Sequence, residues 1–200
     1  MNTTANQFNS EGAVLVKDVV TPEMARFMTQ ALMLNQSING DAAGDSQCPN
    51  SKSPMYSSLI FDTLLEKAWP YVEGIVGEPL WPTYSYARLY RKGDILENHI
   101  DRESCEVSLT LQLGRSHHYA WPIYMGKKRY DLAEGEGVIY SGCEIPHWRN
   151  ECDPPDETYY SGQVFLHFVR QNGPYHEWAG DKRYTYNPFL RFRTEAMENK

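Results

Sequence analysis

Nine consecutive residues, Cys105 to Leu113 (CEVSLTLQL), alternate without a break. Cys105, Val107, Leu109, Leu111 and Leu113 fall on one side; Glu106, Ser108, Thr110 and Gln112 fall on the other. A β-strand points successive side chains to opposite faces, so this segment reads as a strand that covers a core with its apolar side. Other short strands are expected at Tyr84–Tyr90 (turning at Arg91-Lys92-Gly93-Asp94), Tyr119–Met125, Arg129–Leu132, Val138–Tyr140 and Gln163–Val169. Short strands between glycine-rich turns predict a sandwich or barrel, here a double-sheet jelly roll. In most such proteins the polar side of the nine-residue strand would meet water. In a jelly roll that holds a site between its sheets, it would line a wet pocket instead.

The first eighty residues differ. A short polar tail leads to a branched, strand-like run, Ala13 to Val20. Thr21-Pro22-Glu23 then sets a helix start: a capping hydroxyl, a proline in the first turn and an early carboxylate. Met24, Phe27, Met28, Ala31 and Leu32 recur at helical spacing, as expected of a helix backing a sheet. Gln36 to Pro54 is polar and small and reads as a loop. A second helix is expected from about Ser58 to Val76, kinked or split at Pro70. The organisation expected is one domain, mainly β with flanking α-helices. It comprises helical support over about 13–80, a jelly-roll core over about 81–170 and a C-terminal extension over 171–200.

Composition narrows the class. With 200 residues, the chain can build one sizeable core. A formal net charge of -7 supplies no overall basic field for nucleic acid or anionic lipid. Cys48, Cys105, Cys143 and Cys152 show neither CxxC spacing nor disulfide-scaffold density. No secretory leader or membrane-spanning run is recognisable, so a cytoplasmic protein without membrane attachment is expected. The sequence sets no oligomeric state.

The chemistry-bearing pattern is His99-x-Asp101, with His147 much later. Two imidazole nitrogens and one carboxylate oxygen can take one face of an octahedral metal and leave the other open, the arrangement of non-haem Fe(II) oxygenases. An HxD pair alone carries little weight. Here it lies between LYRKGD and a β-rich strand, and EGEGVIYSGCEIPHWR leads into the third residue. There is no GxSxG elbow and no phosphate-binding loop.

Residues from about Tyr84 to Arg170 resemble the Fe(II)/2-oxoglutarate-dependent dioxygenase superfamily, nearest to its prolyl 4-hydroxylase-like branch. The resemblance rests on LYRKGDILENHID, SCEVSLTLQL, EGEGVIYSG and the late histidine of IPHWR. It implies a double-stranded β-helix, iron held by His99, Asp101 and His147, and 2-oxoglutarate and O2 as cosubstrates, with ascorbate as an optional addition. The implied reaction is hydroxylation of an unactivated C–H bond, with release of succinate and CO2. The expected substrate is an amino-acid side chain, free or in a peptide or protein, with proline foremost. Oxidative demethylation of nucleic acid and a non-catalytic metal-binding jelly roll are the alternatives.

One part of the family pattern is missing. A lysine or arginine usually follows the last histidine by roughly ten residues and pairs with the far carboxylate of 2-oxoglutarate. Here that stretch is NECDPPDETYYSG, with no basic residue. Arg149 is the first substitute, since two residues on an extended strand share a face with His147. His167 and Arg170 are alternatives on opposite sides of one strand, and His167 is favoured. Tyr90, Ser108 and Thr110 are candidate hydroxyl donors to the same carboxylate. Arg102 is expected at the mouth or in an ion pair with Glu103 or Glu106. His117 and His118 are expected in a solvated hairpin. Trp121, Trp148 and Trp178 are candidates for the pocket wall or for plain core.

Overall fold

The computed structural model describes residues 3–40 and 44–183. Two antiparallel sheets face each other. The larger joins β1 (Ala13–Val16), β8 (Gly137–Ser141), β5 (Val107–Arg115), β10 (Tyr160–Arg170), β3 (Leu80–Arg91) and β2 (Lys52–Tyr56), in that spatial order. The smaller joins β4 (Leu96–His99), β9 (His147–Arg149), β6 (Ile123–Met125) and β7 (Lys128–Tyr130). This is a jelly roll, as the strand pattern predicts.

Alternation along the long strands assigns each residue to a layer. Val107, Leu109, Leu111 and Leu113 of β5, Val164, Leu166 and Phe168 of β10, and Ala87 and Leu89 of β3 form one buried cluster with the helices α2 (Pro22–Asn39) and α3 (Leu59–Val76). Burying each larger side chain there contributes roughly 1.5–3 kcal/mol. The polar side of β5 does not meet water. Ser108, Thr110 and Gln112 are all buried and point toward the smaller sheet.

Several boundaries differ from the sequence reading. Residues Thr3–Glu11 form a helix, α1, where a polar tail is expected; its single large apolar side chain, Phe8, is buried and anchors it. β1 ends at Val16, four residues short of the branched run. α2 begins as expected, with Thr21 Oγ1 accepting from the Met24 N–H, but continues to Asn39, into the expected loop. β2 takes the end of that loop. α3 runs unbroken through Pro70, whose ring is on the exposed side. Of the expected extension 171–200, residues 184–200 lie outside the described residues. The rest includes His176–Lys182, which packs against β3 as short helical turns interrupted by non-helical backbone at Ala179, Gly180 and Asp181. No helix among the described residues is long and apolar enough to cross a membrane.

Candidate metal centre

His99 closes β4 and His147 opens β9, and the two are direct cross-strand partners with ring centroids 4.2 Å apart. Asp101 lies just beyond the strand. The strand has ended at His99, and the Asp101 N–H donates to the Gly142 carbonyl at 2.9 Å, which fixes the chain beside the imidazoles. Gly142 must be glycine for this approach, since a Cβ there would stand 2.5 Å from Asp101 Oδ2. Asp101 Oδ1 lies 3.6 Å from His99 Nε2 and 3.5 Å from His147 Nε2.

The donor set suits a divalent transition metal. Each imidazole has its other nitrogen committed: His99 Nδ1 lies 2.6 Å from the Glu97 carbonyl and His147 Nδ1 lies 2.9 Å from the Ile145 carbonyl. A carbonyl only accepts, so Nδ1 carries the proton and the Nε2 lone pair points at Asp101. Ser108 Oγ donates to Asp101 Oδ2 at 3.1 Å and leaves Oδ1 for an ion. Burial alone would raise the pKa of Asp101, but His147 and His99 outweigh it and hold the carboxyl well below its usual range. Burial would lower that of His99, yet Asp101 and the Glu97 carbonyl shift it upward. Tyr140 Oη stands 3.4 Å from His147 Nε2; burial and the Asp101 charge push its pKa well up, so it stays a donor.

A second cluster shares the carboxylate: Asp101, Cys105 and His167 also have ligand atoms within 4.8 Å of one another. Its chemistry is poorer. Burial and Asp101 raise the Cys105 thiol far above its ordinary value, so it is no thiolate.

His99, Asp101 and His147 open on a cavity of about 360 Å³ between the sheets. Its walls include Tyr84, Tyr86, Arg88 and Tyr90 from β3, Phe165 and His167 from β10, and Arg102. Around Tyr90, polar atoms go unanswered. Tyr90 Oη, Arg88 Nε and Nη1, and Arg149 Nε are buried without hydrogen-bond partners among the described residues. Orphaned donors at this density call for an acceptor. The charges of Arg88 and Arg149 both act on the Tyr90 hydroxyl. Arg88 is paired with Asp45 through Nη2. Arg149 has no carboxylate partner among the described residues: Nη1 donates to the Trp121 carbonyl, the guanidinium lies 4.7 Å from the Trp121 ring, and Nη2 is 3.3 Å from the Gln163 amide. Burial without an acid lowers its pKa from the usual arginine value.

The other predicted residues separate clearly. Arg149 shares the buried face of β9 with His147, but His147 lines the cavity and Arg149 sits against Trp121, which is edge-on to Tyr90. His167 lines the cavity at the metal end. Burial lowers its pKa to about 4, so it is neutral near pH 7 and is no cation for a carboxylate. Its Nδ1 lies 2.9 Å from Ser108 Oγ, so Ser108 serves the metal end too. Thr110 is buried 3.5 Å from the Gln163 amide. Arg170 pairs with Glu106 and Glu78, away from the cavity. Arg102 lines the mouth, but its partner is Asp181 rather than Glu103 or Glu106. His117 is near Asp156 in an exposed turn, and Trp148 stacks on Tyr124. Arg88 was missed. The signal was its place in YSYARLY, in step with Tyr84, Tyr86 and Tyr90.

Comparison with solved structures agrees with this architecture. A prolyl-4-hydroxylase from Pseudomonas putida superposes with a TM-score of 0.61 at 12% identity, covering 84% of this chain and 97% of that one. HygX from Streptomyces hygroscopicus, solved with nickel and 2-oxoglutarate, gives 0.63 at 11% identity over 86% and 88% of the two chains. The fold is that of the 2-oxoglutarate/Fe(II) oxygenases. A viral collagen prolyl hydroxylase from Paramecium Bursaria Chlorella virus-1 shares the 2-oxoglutarate oxygenase fold, with a TM-score of 0.61 at 8% identity over 80% and 97%. No family model matches the sequence, and no curated protein is similar to it in sequence.

Proposed function

We propose that this chain is an Fe(II)- and 2-oxoglutarate-dependent oxygenase that hydroxylates an amino-acid side chain, proline foremost. The observation that carries the reading is the meeting of His99 Nε2, His147 Nε2 and Asp101 Oδ1 at the wall of a cavity that also gathers orphaned donors for an anion. When bound, Fe(II) with 2-oxoglutarate and O2 supplies oxidation of a C–H bond and releases succinate and CO2.

The protein's share is holding and orienting. His99, Asp101 and His147 supply three donors and leave further positions for small ligands. The Glu97 and Ile145 carbonyls and Ser108 keep those donors aimed. Arg88 and Tyr90 on the cavity wall, with the buried Arg149 charge acting on the Tyr90 hydroxyl, bind the far carboxylate of 2-oxoglutarate, which neutralises a buried guanidinium. Tyr84, Tyr86 and Phe165 supply aromatic walls to the cavity in which the substrate would lie.

Anaerobic addition of Fe(II) and 2-oxoglutarate should produce a weak visible metal-to-ligand charge-transfer band, and air should then yield succinate. Neither signal should survive His99→Ala. Absence of both in the native chain would favour a metal-binding module without catalysis.

A further inference from the structure

Arg102 follows the ligand Asp101 directly and lines the mouth of the cavity. Its guanidinium lies 4.7 Å from the Tyr84 ring and 5.7 Å from the Trp178 ring, and Asp181 Oδ2 accepts from Nη2 at 2.8 Å. A long side chain held this firmly has already lost its rotamer freedom, yet it remains 44% exposed. Asp181 is itself delivered at a cost. It has a φ of 55° in the left-handed region, next to Lys182 with the same value, and its side chain is buried against the Tyr56 hydroxyl. Backbone strain of this kind persists where the surroundings fix it, often at ligand clamps.

Charge balance says what the clamp fits. Iron, Asp101 and a dianionic cosubstrate together carry one negative charge, which Arg149 cancels. Arg88 and Arg102 each already have a carboxylate, Asp45 and Asp181. A substrate of zero net charge completes this site, and an anionic one would not. Within that limit, Arg102 offers a forked donor for a carboxylate at the mouth of the cavity.

We propose that Arg102 receives the carboxylate of a free α-amino acid or a close zwitterionic relative, which makes the substrate a small molecule rather than a residue within a peptide. This rests on the oxygenase reading above. Calorimetry under nitrogen, on protein loaded with Fe(II) and 2-oxoglutarate, separates the two without turnover. The probes are the standard free L-amino acids, L-proline first, with their carboxamides and N-acetyl derivatives, and a proline-containing peptide blocked at both ends. At least one free amino acid should bind, its carboxamide about tenfold or more weaker. Arg102→Ala should lose a similar factor with 2-oxoglutarate affinity kept, and Arg102→Lys should recover part of it. The proposal is overturned if 2-oxoglutarate binds but no free amino acid does, if acid and amide bind alike, if only the blocked peptide binds, or if Arg102→Ala changes nothing. Failure of 2-oxoglutarate itself to bind would instead strike the oxygenase reading.

Discussion

The two faces of the larger sheet come from the same strands and are both buried, yet they differ in character. On the outer face of β5 and β10, Leu109, Leu111, Leu166 and Phe168 pack on helices and carry no polar atom. On the inner face, Ser108, Gln163 and His167 alternate with them one residue away, buried as deeply but joined by hydrogen bonds. A strand's two-residue period thus lets stability and chemistry be encoded in one segment without sharing a side chain. It also means that a one-residue slip in register would exchange them.

Substitutions on the two faces should therefore separate. Asp101→Ala, which removes the carboxylate that the inner-face Ser108 donates to, should reduce 2-oxoglutarate-dependent succinate formation to background while leaving the thermal midpoint within a few degrees. A collapse of the fold would show that the faces are not independent. Leu109→Ala, on the outer face, should cost about 2–5 kcal/mol in urea denaturation while the surviving folded protein keeps its 2-oxoglutarate affinity.

The strands and the outer face were legible because alternation is local and needs no partner. The grouping of His99, Asp101 and His147 followed from their spacing and surroundings, although the route did not: Asp101 converges after β4 has ended, held by Gly142 from a distant turn. The cluster of buried donors proposed to hold the cosubstrate was only half legible. Arg149 was found by stepping along its own strand, whereas Arg88 joins it only because β3 lies across the gap from β9. The helix α1 was unreadable for a related reason, since one buried Phe8 makes no periodic pattern.

That half-read cluster sharpens the comparison further. Arg149→Ala should weaken 2-oxoglutarate binding roughly 10- to 100-fold by calorimetry, from the usual worth of a charged hydrogen bond. Unchanged affinity would leave Arg88 with Tyr90 as the anchor. The smallest effect expected is a pH slope. His167 is held neutral by burial, with its pKa lowered to about 4, while in the unfolded chain it protonates near 6.5. The unfolded state then binds more protons between those values, so stability present above about pH 6.5 should fall as the pH drops toward 4. Urea midpoints at pH 7 and pH 5 should differ less in His167→Gln than in the native chain, and an equal difference would place the titration elsewhere.

Anomalous X-ray diffraction from crystals grown anaerobically with Fe(II) and 2-oxoglutarate tests the centre of the account most directly. One iron peak should lie about 2.0–2.2 Å from His99 Nε2, His147 Nε2 and Asp101 Oδ1. A peak on Asp101, Cys105 and His167, or no bound iron at all, would contradict it.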